Sequence, residues 1–578
     1  MDQKRLFLAI ALSIAILFGF QMLLPKPIQV PQDPAVASTQ AGAPTVRPAT
    51  PTEVASAVPK AVPRLKIAAP RLTGSVSLLG ARIDDVVLTE YRETIDPKSP
   101  NVRILEPRSE AQPYYVQFGW SAPPDSKIIV PDNATIWTGA GEIGPGKTGK
   151  LTWDNGAGLM FGIEIGLDVD FMFTIKQTVH NAAGAPAQLF PWARIRRDYA
   201  PEVSGYYVLH EGMIGVLDGR LKEVTYASAK SDGEKKGGIA LESTGAGGWM
   251  GITDKYWLIA LIPDQTASLA TSFRHVKEAG SDRYQVDFAS KDPSVVAPGG
   301  DTSLTTKLFA GAKIVKLLAH YEQAEKIPNF DKAVDWGWFE LLTKPIFYAI
   351  DWLYSVLGNF GVAILVFTAF VKALFFPLAN KSYRSMSKMK LLGPKMTELR
   401  ETFKDQPAEL QKGMMELYKR EKVNPASGCL PLLIQIPVFF SLYKVIFVTI
   451  EMRQAPFFGW IRDLSAVDPT NIFNLFGLIP YDPGVLSPYL HMGIWPLIMG
   501  ITMFLQQKLN PPPPDPMQAK LFQFMPIMFT FMMAGFPAGL VIYWSWNNTL
   551  TMAQQWYIMR QTSLSKPGAS LTKPGTKS

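Results

Sequence analysis

The chain has 578 residues, 18% of them charged, a formal charge of +8 and a single cysteine. That length accommodates a soluble domain of roughly 250 residues beside a membrane domain, and one cysteine, Cys429, excludes any intrachain disulfide. The modest charge comes without basic-aromatic motifs, so no specific nucleic-acid site is expected.

Lys4-Arg5 precede an apolar run at 6–24 that ends at Pro25. The run is about long enough to span a bilayer. It reads as an uncleaved signal anchor with residues 1–5 in the cytoplasm, the alternative being cleavage downstream near Ala35-Val36-Ala37. Residues 25–64, rich in Pro, Ala, Thr and Gln, have too few large apolar side chains to order themselves and read as a periplasmic tether.

From 65 to 325 the pattern turns to period two. Phe161, Ile163, Ile165, Leu167, Val169, Phe171, Phe173 and Ile175 alternate with polar residues. This is a half-buried strand pattern, too long for one strand, so a turn or bulge is expected within 166–170. Further strands are expected near 76–91, 126–138, 221–229, 248–262, 283–289 and 302–310, with 308–323 a closing strand and helix. The sum is a large antiparallel β-sandwich. Residues 332–357 carry Trp336, Trp338, Trp352 and Tyr354 among Glu340, Lys344 and Asp351. They predict an amphipathic helix in the headgroup layer, the alternative being a helix packed on the soluble domain.

Spans are expected at 359–379, 429–450, 491–509, 521–537 and 539–559, six with the anchor. The 380–428 loop holds eleven Lys and Arg, among them Lys381, Arg384, Lys388 and Arg400, whereas 451–490 has only Arg453 and Arg462. The positive-inside rule then puts both termini, the 380–428 loop, the 510–520 loop and the basic 560–578 tail in the cytoplasm. The β-domain and the 451–490 loop fall outside. Within 380–428, helices at 383–403 and 408–422 form a hairpin. Its Met386, Met389, Leu392, Met396 and Leu399 stripe is either the seam of that hairpin or an adaptable docking surface for apolar nascent segments or the ribosome.

No P-loop, zinc ligand set or nucleophile elbow is visible, and no cofactor or metal is expected. His180, His210, His275, His320 and His491 lack ligand spacing and read as structural. The expected spans contain no Asp or Glu for a proton relay. They do contain Lys372, about 10 Å along its helix from the inner end, with Thr368 one turn earlier on the same face. Gln435 lies in the inner part of the third span, Gln506 and Gln523 near the inner ends of theirs. The last span is polar over Tyr543–Thr551, and Tyr543 and Asn547 share a face. Such groups are costly against lipid. Converging, they would line a wet cavity in the inner leaflet. The alternatives are a snorkelling Lys372 and interhelical hydrogen bonds for Asn547 and Asn548. Lys444, nearer the outer end of its span, is read as snorkelling.

Lys-Arg-Glu-Lys-Val-Asn-Pro at 419–425, followed by Gly428-Cys-Leu-Pro-Leu-Leu-Ile-Gln-Ile-Pro437, resembles the YidC family of membrane-protein insertases. So do Arg453-Gln-Ala-Pro-Phe457, Asp463-Leu-Ser465, Asp515-Pro-Met517, Phe524-Met-Pro526 and Phe536-Pro-Ala-Gly-Leu540. The layout looks like the Gram-negative form. The resemblance implies six spans, five forming an insertase core, plus a large all-β periplasmic domain similar to sugar-mutarotase folds, where fold does not carry function. It also implies a hydrophilic groove open to cytoplasm and lipid, nascent membrane proteins as substrates, and work beside the ribosome and the Sec translocon. The family's positive groove residue is usually arginine. The match over Thr368–Pro377 puts Lys372 there, which keeps the charge without the planar fork. The expected groove is Lys372, Thr368, Gln435, Tyr543 and Asn547, in a protein that is not an enzyme. The rival readings are a channel or small-solute transporter and a membrane-anchored periplasmic carbohydrate-active enzyme.

Overall fold

A computed structural model describes residues 62–564 except 204–208, 279, 405, 422, 424–429, 482, 484–490 and 511–515. The expected anchor, the tether up to 61, parts of the 419–437 motif and the tail beyond 564 lie outside the described residues.

The alternating segment is two strands, Leu159–Leu167 and Met172–Asn181, paired antiparallel. Asp168 makes the turn: its carboxylate accepts the N–H groups of Asp170 and Met172 at 2.9 and 3.0 Å. Phe161, Ile163, Ile165, Phe173 and Ile175 all point into the core. The strand pairs build a ten-stranded and a nine-stranded sheet whose inner faces share one apolar cluster. The closing strand Asp301–Ala312 enters the second sheet between Trp257–Ile262 and Met172–Asn181. Two expected strands are corrected. Residues 126–136 form no strand and include a turn at 133–134, with one isolated bridge, Leu79 to Ile136; Pro123, Pro124 and Pro131 have no N–H to give a ladder. The segment expected at 221–229 is a strand only over Arg220–Thr225. Thr225 then caps helix α1, Tyr226–Lys235, its hydroxyl accepting the Ser228 N–H at 3.2 Å.

Helix α2, Val315–Ala324, closes the β-domain. Helix α3 runs over Glu340–Leu357, starting later than expected because Trp336 is buried in the linker before it. Thr343, Ile346, Phe347 and Ile350 face inward, while Trp338, Leu341, Trp352 and Val356 form an exposed apolar face, Trp338 completely. Then follow α4, Phe360–Leu374; α5, Phe376–Leu391; α6, Gly393–Thr402; α7, Pro407–Arg420; α8, Leu430–Val448; α9, Ile494–Leu509; α10, Pro516–Met533; and α11, Ala538–Leu564.

Among the described residues no single helix is long and apolar enough to cross a membrane; α4 with the first part of α5 passes as a pair bent by 66°. The expected 359–379 span therefore breaks at Phe375. Pro377 lacks the N–H that the Ala373 carbonyl would receive, and its ring crowds that carbonyl. The expected two-helix hairpin is three helices, α5, α6 and α7. Its methionine stripe turns inward: Met396, with Leu392, packs on Leu417, Tyr418 and Val423, while Met386 joins Tyr383 and Ile558. Met389 and Leu399 are partly buried against the first of these clusters, so that end of the stripe is the seam of the hairpin, whereas Met386 packs on α11.

The β-domain sits on the outer ends of these helices. Lys444 of α8 is buried and pairs with Asp335 at 2.8 Å. It does not snorkel, because a half-buried carboxylate from the domain linker pairs with it. Tyr256 donates to Ser465 at 3.2 Å, and Lys255 lies 3.6 Å from the centre of the Phe447 ring. The Val315 N–H at the start of α2 donates to Glu451 at 3.0 Å.

Candidate functional site

Asn359 caps α4, accepting the Val362 N–H at 3.1 Å. This sets the register that puts Thr368 and Lys372 on the face toward α8 and α11. Thr368 is buried and spends its proton on the Ile364 carbonyl, 2.7 Å away. On α8, Gln435 donates to the Tyr543 hydroxyl of α11. Asn547, one turn beyond Tyr543, has a buried side-chain oxygen with no hydrogen-bond partner among the described residues. These side chains, with Phe367, Val371 and Val438, line a recess of about 210 Å³. It continues past Lys372 into a larger one of about 470 Å³ bounded by Phe375, Leu378, Ala379, Tyr383 and Gln554.

All five expected site residues thus border one cavity. Lys372 donates to Thr551 of α11 at 2.8 Å, and no acidic side chain among the described residues forms an ion pair with it. An ammonium has three donors, and among the described residues one hydrogen bond, to Thr551, uses them. In the other direction the cavity stops. Beyond Thr368 and Tyr543, Phe360, Ala363, Ile364, Val445, Ile446, Leu540 and Val541 are buried in one apolar cluster, with Ser441 and Lys444 buried beside them.

Several expectations do not join this site. Gln523 is exposed on α10, and Gln506 does not border the cavity. Asn548 bonds across helices to Thr502 at 3.2 Å, the interhelical role foreseen for it; Asn547 does not. His491 donates to the Asp468 carbonyl at 2.8 Å, outside the cavity. Thr551 and Gln554 were missed as site residues. They continue the stripe from Tyr543 through Asn547 at steps of four, four and three, a helical repeat readable in the sequence.

Residues 64–349 match the family described as YidC periplasmic domain, and residues 352–566 match 60Kd inner membrane protein. The membrane protein insertase YidC of Granulibacter bethesdensis is 59% identical over 576 residues, covering 98% of this chain and 99% of its own length. This chain belongs to the YidC family. The YidC protein of Acidiphilium cryptum is 52% identical over 526 residues, covering 89% of this chain and 87% of its own. A crystal structure of an active YidC insertase matches at 16% identity over 86% of this chain and 92% of its own, with a TM-score of 0.36. YidC membership makes the chain an inner-membrane insertase with a large all-β periplasmic domain, and not an enzyme. The channel and carbohydrate-enzyme readings fall with that.

Proposed function

We propose that this insertase works through the cavity around Lys372, as a hydrated groove open toward the cytoplasm and closed on the outer side. The observation that carries the reading is the blind end. Polar groups cluster at Lys372, Gln435, Tyr543 and Asn547, and dry packing follows beyond Thr368. A through-pore would need polar lining on both sides. A blind wet recess shortens the apolar thickness that a substrate's polar segment must cross. Lys372 attracts acidic groups in that segment, and the unpartnered Asn547 oxygen accepts a donor from water or substrate backbone. The apolar part of the substrate then leaves sideways into lipid, driven by burial at about 25 cal/mol per Å². No nucleotide is used in that step.

In this reading the spans are the anchor at 6–24, α4 with the start of α5, α8, α9, α10 and α11. Both termini are cytoplasmic by the charge of 380–428 and of the tail. Helix α3 lies in the outer headgroup layer, with Trp338, Trp352 and Val356 as its buried face there. The ribosome and the Sec translocon are the proposed partners, on the strength of the family resemblance. The test is water access. With Cys429 replaced, single cysteines at Val371, Val438 and Asn547 should react with a membrane-impermeant thiol reagent added from the cytoplasmic side. A cysteine at Ile364 should not. Protection of the first three, or reaction of all four from outside, contradicts the groove.

A further inference from the structure

The bend between α4 and α5 leaves backbone groups unserved. In an unbroken helix the Lys372 carbonyl would accept the Phe376 N–H. Instead Phe375 closes α4 with its N–H on the Val371 carbonyl at 3.1 Å, and the Lys372 carbonyl takes the side-chain amide of Gln554 at 3.1 Å. The same lysine's ammonium is held by Thr551 at 2.8 Å. Thr551 has committed its proton to the Asn547 carbonyl, 2.7 Å away, so toward Lys372 its oxygen can only accept. One residue of α4 is thus gripped at both ends, backbone and side chain, by two residues three apart on α11.

The same stripe reaches further. Ile558, four residues beyond Gln554, is almost fully buried against Tyr383 and Met386 of α5, with Phe376 and Ala379 beside them. A single face of α11 therefore holds the end of α4, the break, and the first turns of the helix that leads into the cytoplasmic hairpin.

We infer that Thr551 and Gln554 are positioning residues, a two-point clamp that fixes the Lys372 ammonium against the cavity wall and sets the angle at which α5 leaves the α4 axis. This rests on the groove reading for its effect on insertion, but not for its effect on the bend. Physically the two are linked. A carboxylate that draws the ammonium away from Thr551 loosens one of the two grips on the hinge. Arrival of an acidic substrate segment would then be felt in the direction of the hairpin.

The test uses full-length protein in liposomes, a substrate with an acidic outer tail, and nitroxide labels at the exposed Phe370 and Leu391 after Cys429→Ser. Thr551→Val should slow insertion of the acidic-tailed substrate about tenfold, the size of one charge-assisted hydrogen bond. Thr551→Ser should restore it, and Thr551→Val should add no loss once Lys372 is replaced by alanine. Gln554→Leu should broaden and shift the distance distribution between the two labels. Full activity of Thr551→Val, a loss that persists undiminished beside Lys372→Ala, or an unchanged distance distribution in Gln554→Leu would each overturn the clamp. If Lys372→Ala itself inserts this substrate normally, the groove reading falls, and the label distances still decide whether Gln554 holds the bend.

Discussion

Two lysines in this molecule, one buried and one half-buried, are each bonded to a threonine hydroxyl. Lys313, in the β-domain, donates to Thr253 at 2.9 Å; Lys372, among the helices, donates to Thr551 at 2.8 Å. Their surroundings differ. Lys313 is faced by the carboxylates of Asp254, Asp335 and Glu211, although burial still lowers its ammonium to about 8. Lys372 has no such neighbour among the described residues. Around Lys313 the charges are closed on themselves: Arg197 holds Asp254 with two bonds of 2.7 and 2.8 Å, and Asp335 takes Lys444. Around Lys372 there are cavity walls and an unpartnered amide oxygen. Buried charge in the β-domain is completed by the fold. In the helical domain Lys444 is completed in the same way by Asp335, whereas Lys372 has no ion-pair partner among the described residues.

That contrast can be broken at several points. The largest effect should come from Arg197→Met, which strands Asp254 in the interior and should cost about 3–5 kcal/mol of stability. Thermal unfolding of the purified protein in detergent would measure it, with insertion below the transition unchanged. Lys372→Met in the same assay should lie within about 1 kcal/mol of the parent or above it, since the half-buried charge it removes has no ionic partner among the described residues. Equal destabilisation by the two variants would erase the distinction. Next, Asp335→Asn should loosen the junction by about 2–3 kcal/mol by breaking the ion pair with Lys444. Limited proteolysis between β-domain and helices should accelerate, while the groove is untouched.

The smallest effect sharpens the comparison through pH. Burial pushes Glu451, at the same junction, up to about 7 from 4.5, against the opposing pull of the Val315 N–H. One of its oxygens has no partner. The folded state therefore holds this proton more tightly than the unfolded chain. The stability it contributes is fully present below about 4.5 and is lost as pH rises through 7. Around it are Asp351, Lys316, Tyr91 and Tyr348, and Lys316 already pairs with Asp351 at 2.5 Å. Glu451→Gln should flatten that slope in unfolding midpoints taken between pH 5 and 8. A slope unchanged in Glu451→Gln would assign it to other groups.

Much of this was legible in the residues, and the failures have physical reasons. The Phe161–Ile175 alternation was readable because one face is core and the other water, and only its turn needed locating at Asp168. The false strand over 126–138 came from reading Ile128, Ile129 and Val130 without weighing the prolines around them. Helix α1 was missed because the Thr225 cap follows an alternating run with no gap. In the site, Lys372 and Thr368 were visible as one helical face, and Tyr543 with Asn547 as another. Gln554 lies on that same face, but its role was not readable, because what it bonds is a backbone carbonyl exposed only by the bend at Pro377. Lys444 was misread because Asp335 is far from it in sequence.

The central claim is that Lys372 acts as the open charge of a hydrated groove. Its most direct measurement is insertion, by purified full-length protein in liposomes, of two substrates that differ only in an acidic or a neutral outer tail. Lys372→Ala should slow the acidic-tailed substrate by about tenfold or more and barely change the neutral one, and Lys372→Arg should keep both. Equal rates for the acidic tail with lysine and with alanine would contradict the account.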